Sequence, residues 1–465
     1  LSAEDMLWGQ TLRSPYPSAK IRKIDFSQAL AIEGVYAILT ADDVPGENLF
    51  GLEHPDQPVL AFDMVRYVGE PVAIVAANHP EVAKKAVDAI YVDYEQLDPL
   101  VNSREAIEAA PIHPDGNVIR HLVINHGDPD AVGNITVEGE YEVGMQDQAF
   151  LGTESGIAFP SADGGVDLHI STQWLHSDRD QVASALNLPE DLVRVTLAGV
   201  GGAFGGREDV SMHVHLCMLA LHTGRPVKMV YDRNESFLGH VHRHPAKIWF
   251  RHSADDSGVL VKVEAKVILD GGAYASTTSA VLANACCFSV GPYRVPNALI
   301  EGWGVRTNNP PCGAMRGFGN VQTCFAAEAQ MDKLAKALSL DPVEFRLLNA
   351  LETGDILITG QEITGTAPVK EVLTSLAEYP LPEPTKGGLL DLPGGTGRTT
   401  DKSHVKRGVG YAASIKNLMF SEGFDDFSEA RCIVDDGEVL IKSACVEVGQ
   451  GFVTLVGQIV EETLG

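Results

Sequence analysis

The sequence predicts an α+β protein: an N-terminal α/β unit, then domains in which strands alternate with helices, the last of them incomplete. Three observations carry this. Residues 1–105 hold a strand–helix–strand pattern, and from about 130 the texture changes to strands joined by Gly-containing turns. A Pro/Gly-rich stretch at 380–407 has little core potential and separates a short final region. The expected domains are therefore 1–105, 130–379 and 408–465, with 380–407 as a linker. At roughly 150 residues per domain, about three are expected for 465 residues.

In chain order, Pro71–Ala76 reads as a buried strand. Asn78 can cap a helix through Ala89 that has Val82, Ala83, Ala86 and Val87 on its apolar face. Ile90–Tyr94 then makes the segment a βαβ candidate. Strands follow at Val137–Val143, Val166–Ser171 and Val259–Leu269, the last two after Asp-Gly-Gly and Asp-Ser-Gly turns. The helix expected at Val210–Thr223 stops at Gly224, a favourable residue just past a helix end, and Val321–Leu338 is long and amphipathic. Strand patterns resume at 408–415, 430–434 and 438–447. Val453, Val456, Ile459, Val460 and Leu464 recur at helical spacing. The chain opens on Leu1 and stops inside that pattern, so it reads as a fragment.

Composition excludes several classes. With 35 basic and 63 acidic residues the net charge is −28, which argues against a phosphate-binding surface for nucleic acid. No apolar run approaches the roughly 18 residues of a membrane span, and no secretory leader opens the chain. The seven cysteines (217, 286, 287, 312, 324, 432 and 445) form no CxxC pair. They suit a reducing cytoplasm rather than a disulfide framework, and their spacing does not hold an iron–sulfur cluster.

The strongest chemical signal is Gly199–Glu208, with five glycines in its first eight residues. Such a loop lets backbone N–H groups approach an anion or oxo ligand. A dinucleotide fingerprint from Gly199 fails at Phe204, and a phosphate-binding P-loop from Gly201 fails at Arg207-Glu208. A turn with no ligand remains open. Asn308–Asn320 places Arg316 and Phe318 between glycines, able to offer a guanidinium and a flat face to a planar ligand. Glu447–Gly451 is a weaker third loop. His213/His215 and His240/His242/His244 have metal-like spacing, but alternate histidines more often are solvated or capped, and no side-chain metal ligand is expected.

In this order and at these separations, the loops resemble those of the molybdenum-binding large subunits of the xanthine dehydrogenase and aldehyde oxidase family. The likeness runs over almost the whole chain. Asp63–Val75 resembles that family's α/β hammerhead domain, and Gly201–Glu208 and Met315–Gly319 its molybdopterin loops. Tyr231–Ser236 and His242–Pro245 resemble a segment between them. The resemblance implies a molybdenum–molybdopterin cofactor in its cytosine dinucleotide form, held through the pterin. Gln146 matches a Gln that hydrogen-bonds a molybdenum ligand. Gly202, Ala203, Phe204, Gly205, Gly206, Arg316, Gly449, Gln450 and Gly451 match cofactor contacts. Glu208, Phe318, Phe420 and Ser421 match substrate contacts, and Gln146, Glu208 and Arg316 would be the catalytic set.

Two positions depart from the family pattern. Xanthine oxidisers carry an Arg where this chain has Asn284, whose amide can donate a hydrogen bond but brings no charge. No segment up to Gly465 matches the family's catalytic Glu. The implied activity is oxidative hydroxylation of a purine-like N-heterocycle, with a nicotinate-type ring, an aldehyde or a non-catalytic assembly role as alternatives. Carbon monoxide oxidation is not implied, because that group's loop has a Cys where this chain has Gly313. The resemblance further implies 2Fe-2S and FAD subunits as partners, a dimer of heterotrimers, a cytoplasmic location, and no nucleic acid or membrane partner.

Overall fold

The computed structural model describes residues 1–380, 408–418, 420–421 and 427–465; beyond Pro380, the expected linker lies outside the described residues. A seven-stranded mixed sheet runs in the order Val193–Leu197, Val166–Ile170, Ser155–Pro160, Val227–Val230, Leu7–Arg13, Pro71–Ala77, Val35–Leu39. It draws strands from both of the first two expected domains, since Leu7–Arg13 pairs in parallel with Val227–Val230. Pro71–Ala77 explains its all-apolar sequence by burial on both faces. Ile74 and Ala76 point into the core that holds the helix His213–Thr223. Ala73 and Val75 pack instead with Ala86 of the helix Pro80–Ala89.

A second, five-stranded sheet has the order Val118–His126, Ala298–Val305, Leu260–Asp270, Ala246–Ala254, Ile135–Val143. Ala246, Ile248 and Phe250 alternate onto one face and share a core with the helices Thr278–Cys287 and Asn320–Leu338. Two smaller sheets join Met64–Val65, Ala19–Asp25 and Tyr91–Gln96, and Ala430–Asp435 with Glu438–Ser443. The helix Phe452–Leu464 follows the latter pair. No helix among the described residues is long and apolar enough to cross a membrane.

Several expectations are corrected. The 80–89 helix is capped by His79, whose ring accepts from Glu81 N–H with Pro80 in the first turn, not by Asn78. The βαβ reading fails because Pro71–Ala77 and Tyr91–Gln96 belong to different sheets. The second strand has no fully buried residue and sits at an edge, whereas a βαβ partner would be covered on both faces. Residues 408–415 form no strand. Asn320 of the 320–338 helix meets this stretch instead: its Nδ2 donates to Ser414 Oγ (3.0 Å) and to Ile415 O (2.6 Å).

Candidate functional site

Three loops from distant parts of the chain meet in one open cleft of about 1060 Å³. The first, 199–208, leaves the edge strand Val193–Leu197 and leads into the helix His213–Thr223. The second, 308–319, joins the strand Ala298–Val305 to the helix Asn320–Leu338. The third spans 446–451. Arg316 N–H donates to Phe204 O (2.8 Å), which ties the first two together. A side chain at Gly205, where φ is +99°, would place its Cβ 2.7 Å from Ala314 O. At Gly201 a Cβ would lie 2.7 Å from the Gly152 backbone. These glycines are therefore required by backbone-to-backbone contact.

Gly202, Ala203 and Phe204 line the cleft, and their N–H groups have no hydrogen-bond partner among the described residues. Arg316 and Lys416 line it as well. Phe204 (φ +54°) and Phe318 (φ +48°) both occupy the left-handed region. That conformation is costly for a bulky residue, and such strain collects at ligand sites. One wall is aromatic: Phe420 lies 5.0 Å from Phe318 and 5.3 Å from Trp174, ring centroid to centroid.

Glu208 also lines the cleft, and its Oε2 is buried with no hydrogen-bond partner among the described residues. Desolvation, reinforced by the neighbouring Asp209, pushes its pKa up to about 8, so the carboxyl is mostly protonated at neutral pH. Asp209 is raised to about 6 by burial, against the hydrogen bond from Ser276 Oγ at 2.8 Å. A neutral carboxylic acid facing an aromatic wall can both donate and accept a hydrogen bond.

The structure thus brings together Gly202, Ala203, Phe204, Gly205, Glu208, Arg316, Phe318, Phe420, Gly449 and Gln450. The other anticipated residues lie outside the lining. Gly206 packs against Gln148 behind the loop. Gly451 caps the final helix, its N–H held at 3.2 Å by Glu447, and Ser421 is buried. Asn284 is buried in the Thr278–Cys287 helix and donates to Ala280 O (3.1 Å) and Phe420 O (2.9 Å). It holds the aromatic wall from behind. Gln146 lines a separate cavity of about 380 Å³ and accepts from Arg243 Nε at 2.9 Å. The same guanidinium donates to Arg316 O (2.9 Å), so Gln146 reaches the second loop through one residue.

Sequence reasoning missed Trp174, Lys416 and two staples. Gln173 Oε1 accepts from Gly205 N–H (3.1 Å) and Arg207 N–H (3.3 Å). Gln148 Nε2 donates to Ala314 O (2.8 Å). Arg207 is buried and holds the carbonyls of Gly152 and Gly202. Only the Gln-Trp pair just beyond a strand end offered any local signal for these residues.

A glycine-rich cleft between two sheets, with an aromatic wall and N–H donors unpaired among the described residues, is of a kind that suits a large anionic group. Comparison with known proteins sharpens this. Residues 1–98 match the aldehyde oxidase and xanthine dehydrogenase a/b hammerhead domain. Residues 112–350 and 395–465 match molybdopterin cofactor-binding domains. The chain belongs to the xanthine dehydrogenase and aldehyde oxidase family of molybdopterin-binding proteins. It is 35% identical to a probable xanthine dehydrogenase subunit of Bacillus subtilis, over 100% of this chain and 62% of that protein. It is 39% identical to the nicotinate dehydrogenase large molybdopterin subunit of Eubacterium barkeri, over 81% of this chain and 90% of that one. The aldehyde oxidoreductase of Desulfovibrio gigas superposes with a TM-score of 0.78 at 27% identity, over 81% of this chain and 43% of that chain. The chain thus spans about three-fifths of the Bacillus relative.

Proposed function

We propose that this chain forms the cofactor- and substrate-binding part of a molybdenum hydroxylase acting on a purine-like N-heterocycle. The observation that carries the reading is the buried Glu208 carboxyl, its Oε2 unpartnered among the described residues and its pKa raised to about 8 by desolvation, set in a cleft walled by Trp174, Phe318 and Phe420. The aromatic faces suit a flat ring, and the acid can pair with an adjacent donor and acceptor on it. The free N–H groups of Gly202, Ala203 and Phe204, with Arg316 and Lys416, fit the anionic groups of a molybdopterin. The cytosine dinucleotide form is the one proposed. When bound, that cofactor supplies the oxidative hydroxylation; the protein's share is orientation and electrostatics. Because this chain has no cluster-binding cysteine spacing, electrons are proposed to leave through 2Fe-2S and FAD subunits in a cytoplasmic dimer of heterotrimers.

A second reading, a nicotinate-type substrate, is favoured by the likeness to the Eubacterium relative. The test is a substrate panel on the purified full complex with its molybdenum content measured. Turnover of xanthine or hypoxanthine above nicotinate and aldehydes supports the first reading. The reverse order supports the second. A complex without molybdenum from a cofactor-competent host would leave only an assembly role.

A further inference from the structure

Behind the first cofactor loop, Asp147, His240 and His242 converge. Asp147 Oδ2 lies 3.2 Å from His240 Nε2 and 3.3 Å from His242 Nε2. Three ligand atoms, one from each side chain, sit within 4.8 Å of one another. Both imidazole side chains are almost fully buried, at 2% and 7% exposed. Asp147 Oδ2 and His240 Nε2 have no hydrogen-bond partner of good geometry among the described residues.

From these contacts we infer that Asp147, His240 and His242 form a structural zinc site. Two separations of 3.2 and 3.3 Å match the edge of a zinc tetrahedron. Bonds of about 2.0–2.1 Å give an edge of roughly 3.3–3.4 Å. The atoms facing away from the site lie beside a carboxylate and a carbonyl, the groups that orient the outer ring nitrogen of a ligating His. His240 Nδ1 and Glu154 Oε1, like Asp147 Oδ2 and His240 Nε2, make no hydrogen bond of good geometry among the described residues. His240 Nδ1 is 2.9 Å from Glu154 Oε1, and His242 Nδ1 is 3.4 Å from Pro311 O. Asp147 Oδ1 accepts the Ala149 N–H at 2.6 Å, which turns Oδ2 toward both rings. Ala149 takes φ +46° at that turn, a conformation alanine adopts at a cost. Phe237 O is hydrogen-bonded to His242 Nε2 at 3.0 Å, and an ion would have to take the place of that proton.

The site joins three segments that serve the cleft. Asp147 follows Gln146, and Arg243, next to His242, bonds both Gln146 and the Arg316 carbonyl. The His242 carbonyl accepts from Gly313 N–H (2.9 Å) in the second loop. The ring of His240 packs on Phe150 at 5.0 Å. A bound ion would fix these segments whatever substrate the cleft takes.

The competing arrangement is a protonated His240 held between Asp147 and Glu154 with no metal. The full complex, purified from metal-defined medium, is assayed for zinc beside molybdenum. About one zinc per chain is expected, lost in His242→Ala. Affinity for added Zn2+ should fall about 10- to 100-fold in Glu154→Gln, which disturbs only the outer contact. Wild-type complex stripped with chelator and titrated with Zn2+ should rise in Tm. A zinc-free wild type whose Tm ignores added Zn2+ overturns the site, and so does an unchanged zinc content in His242→Ala.

Discussion

Replacing Glu208 separates an acid that contacts substrate from a buried carboxyl with a packing role only. Its pKa near 8 leaves about nine-tenths of the side chain protonated at pH 7. The carboxyl then offers one donor and one acceptor to a ring with the complementary pair. Neutral hydrogen bonds contribute about 0.5–1.5 kcal/mol each, so losing two in Glu208→Ala removes about 1–3 kcal/mol. At 1.4 kcal/mol per decade, kcat/KM should fall roughly 5- to 140-fold. Glu208→Gln keeps a donor and an acceptor and should stay within about 5-fold of wild type. The assay is steady-state kinetics of the full complex at pH 7, with molybdenum content measured in parallel. Molybdenum should be unchanged in both variants, because the proposed contact is to substrate. Full turnover in Glu208→Ala would refute the substrate contact, and a lowered Tm beside it would leave Glu208 a packing role only. A Glu208→Gln variant as poor as Glu208→Ala would show that charge, not the donor–acceptor pair, does the work.

Three further outcomes follow from the same geometry. Because Glu208 is raised from 4.5 to about 8 on folding, the folded chain holds this proton more tightly, and stability falls as pH rises from about 4.5 to about 8. Urea melts of the cofactor-free chain should show Glu208→Gln gaining on wild type between pH 5 and 9, by at most about 3–5 kcal/mol; parallel curves would contradict the burial of the carboxyl. Gly205→Ala forces a Cβ to within 2.7 Å of Ala314 O at φ +99°; at about 1–3 kcal/mol of strain it should displace the loop and lower molybdenum per chain, and full loading would refute the close approach. Asn284→Ala removes the buried amide that donates to Phe420 O, a hydrogen bond contributing about 0.5–1.5 kcal/mol. Its signature should be a raised KM with a smaller change in kcat, and unaltered kinetics would mean that the aromatic wall does not depend on this amide.

The elements legible in the sequence were those whose pattern is local. Pro71–Ala77 declares itself by seven apolar residues, and the helix ending at Thr223 by its apolar content and Gly224, although it starts at His213 and not at the expected Val210. Pairing was not legible, because it depends on partners far away in the chain. Nothing in 71–94 says that its two strands enter different sheets, and nothing in Leu7–Arg13 says that its parallel neighbour is Val227–Val230. Residues 408–415 carry a strand-like alternation, yet they form no strand and meet Asn320 of one helix at Ser414 Oγ and Ile415 O.

The site divides along the same line. Loops whose backbone lines the cleft announce themselves through glycine, so 199–206, 315–319 and 449–451 stand out in the sequence; the family resemblance, not their spacing, assigned them, and each contributes residues to the cleft. Side chains that act on those loops from outside have no such signature. Gln148, Gln173 and Arg243 are ordinary polar residues until folding places their amide or guanidinium against a loop carbonyl or N–H. Asn284 shows the converse: it occupies a position that family likeness assigns to substrate contact, yet its amide is spent on Phe420 O. Polar atoms buried beside a cofactor cleft must be satisfied somewhere, and a backbone carbonyl within reach competes directly with the ligand for each donor. Position in an aligned motif therefore fixes where a side chain stands but not which of its possible partners wins. Arg243 belongs to the same group, since its guanidinium is divided between Gln146 and the Arg316 carbonyl. A change at Asp147, His240 or His242 would be felt at the cleft through that guanidinium, with no substrate contact of its own.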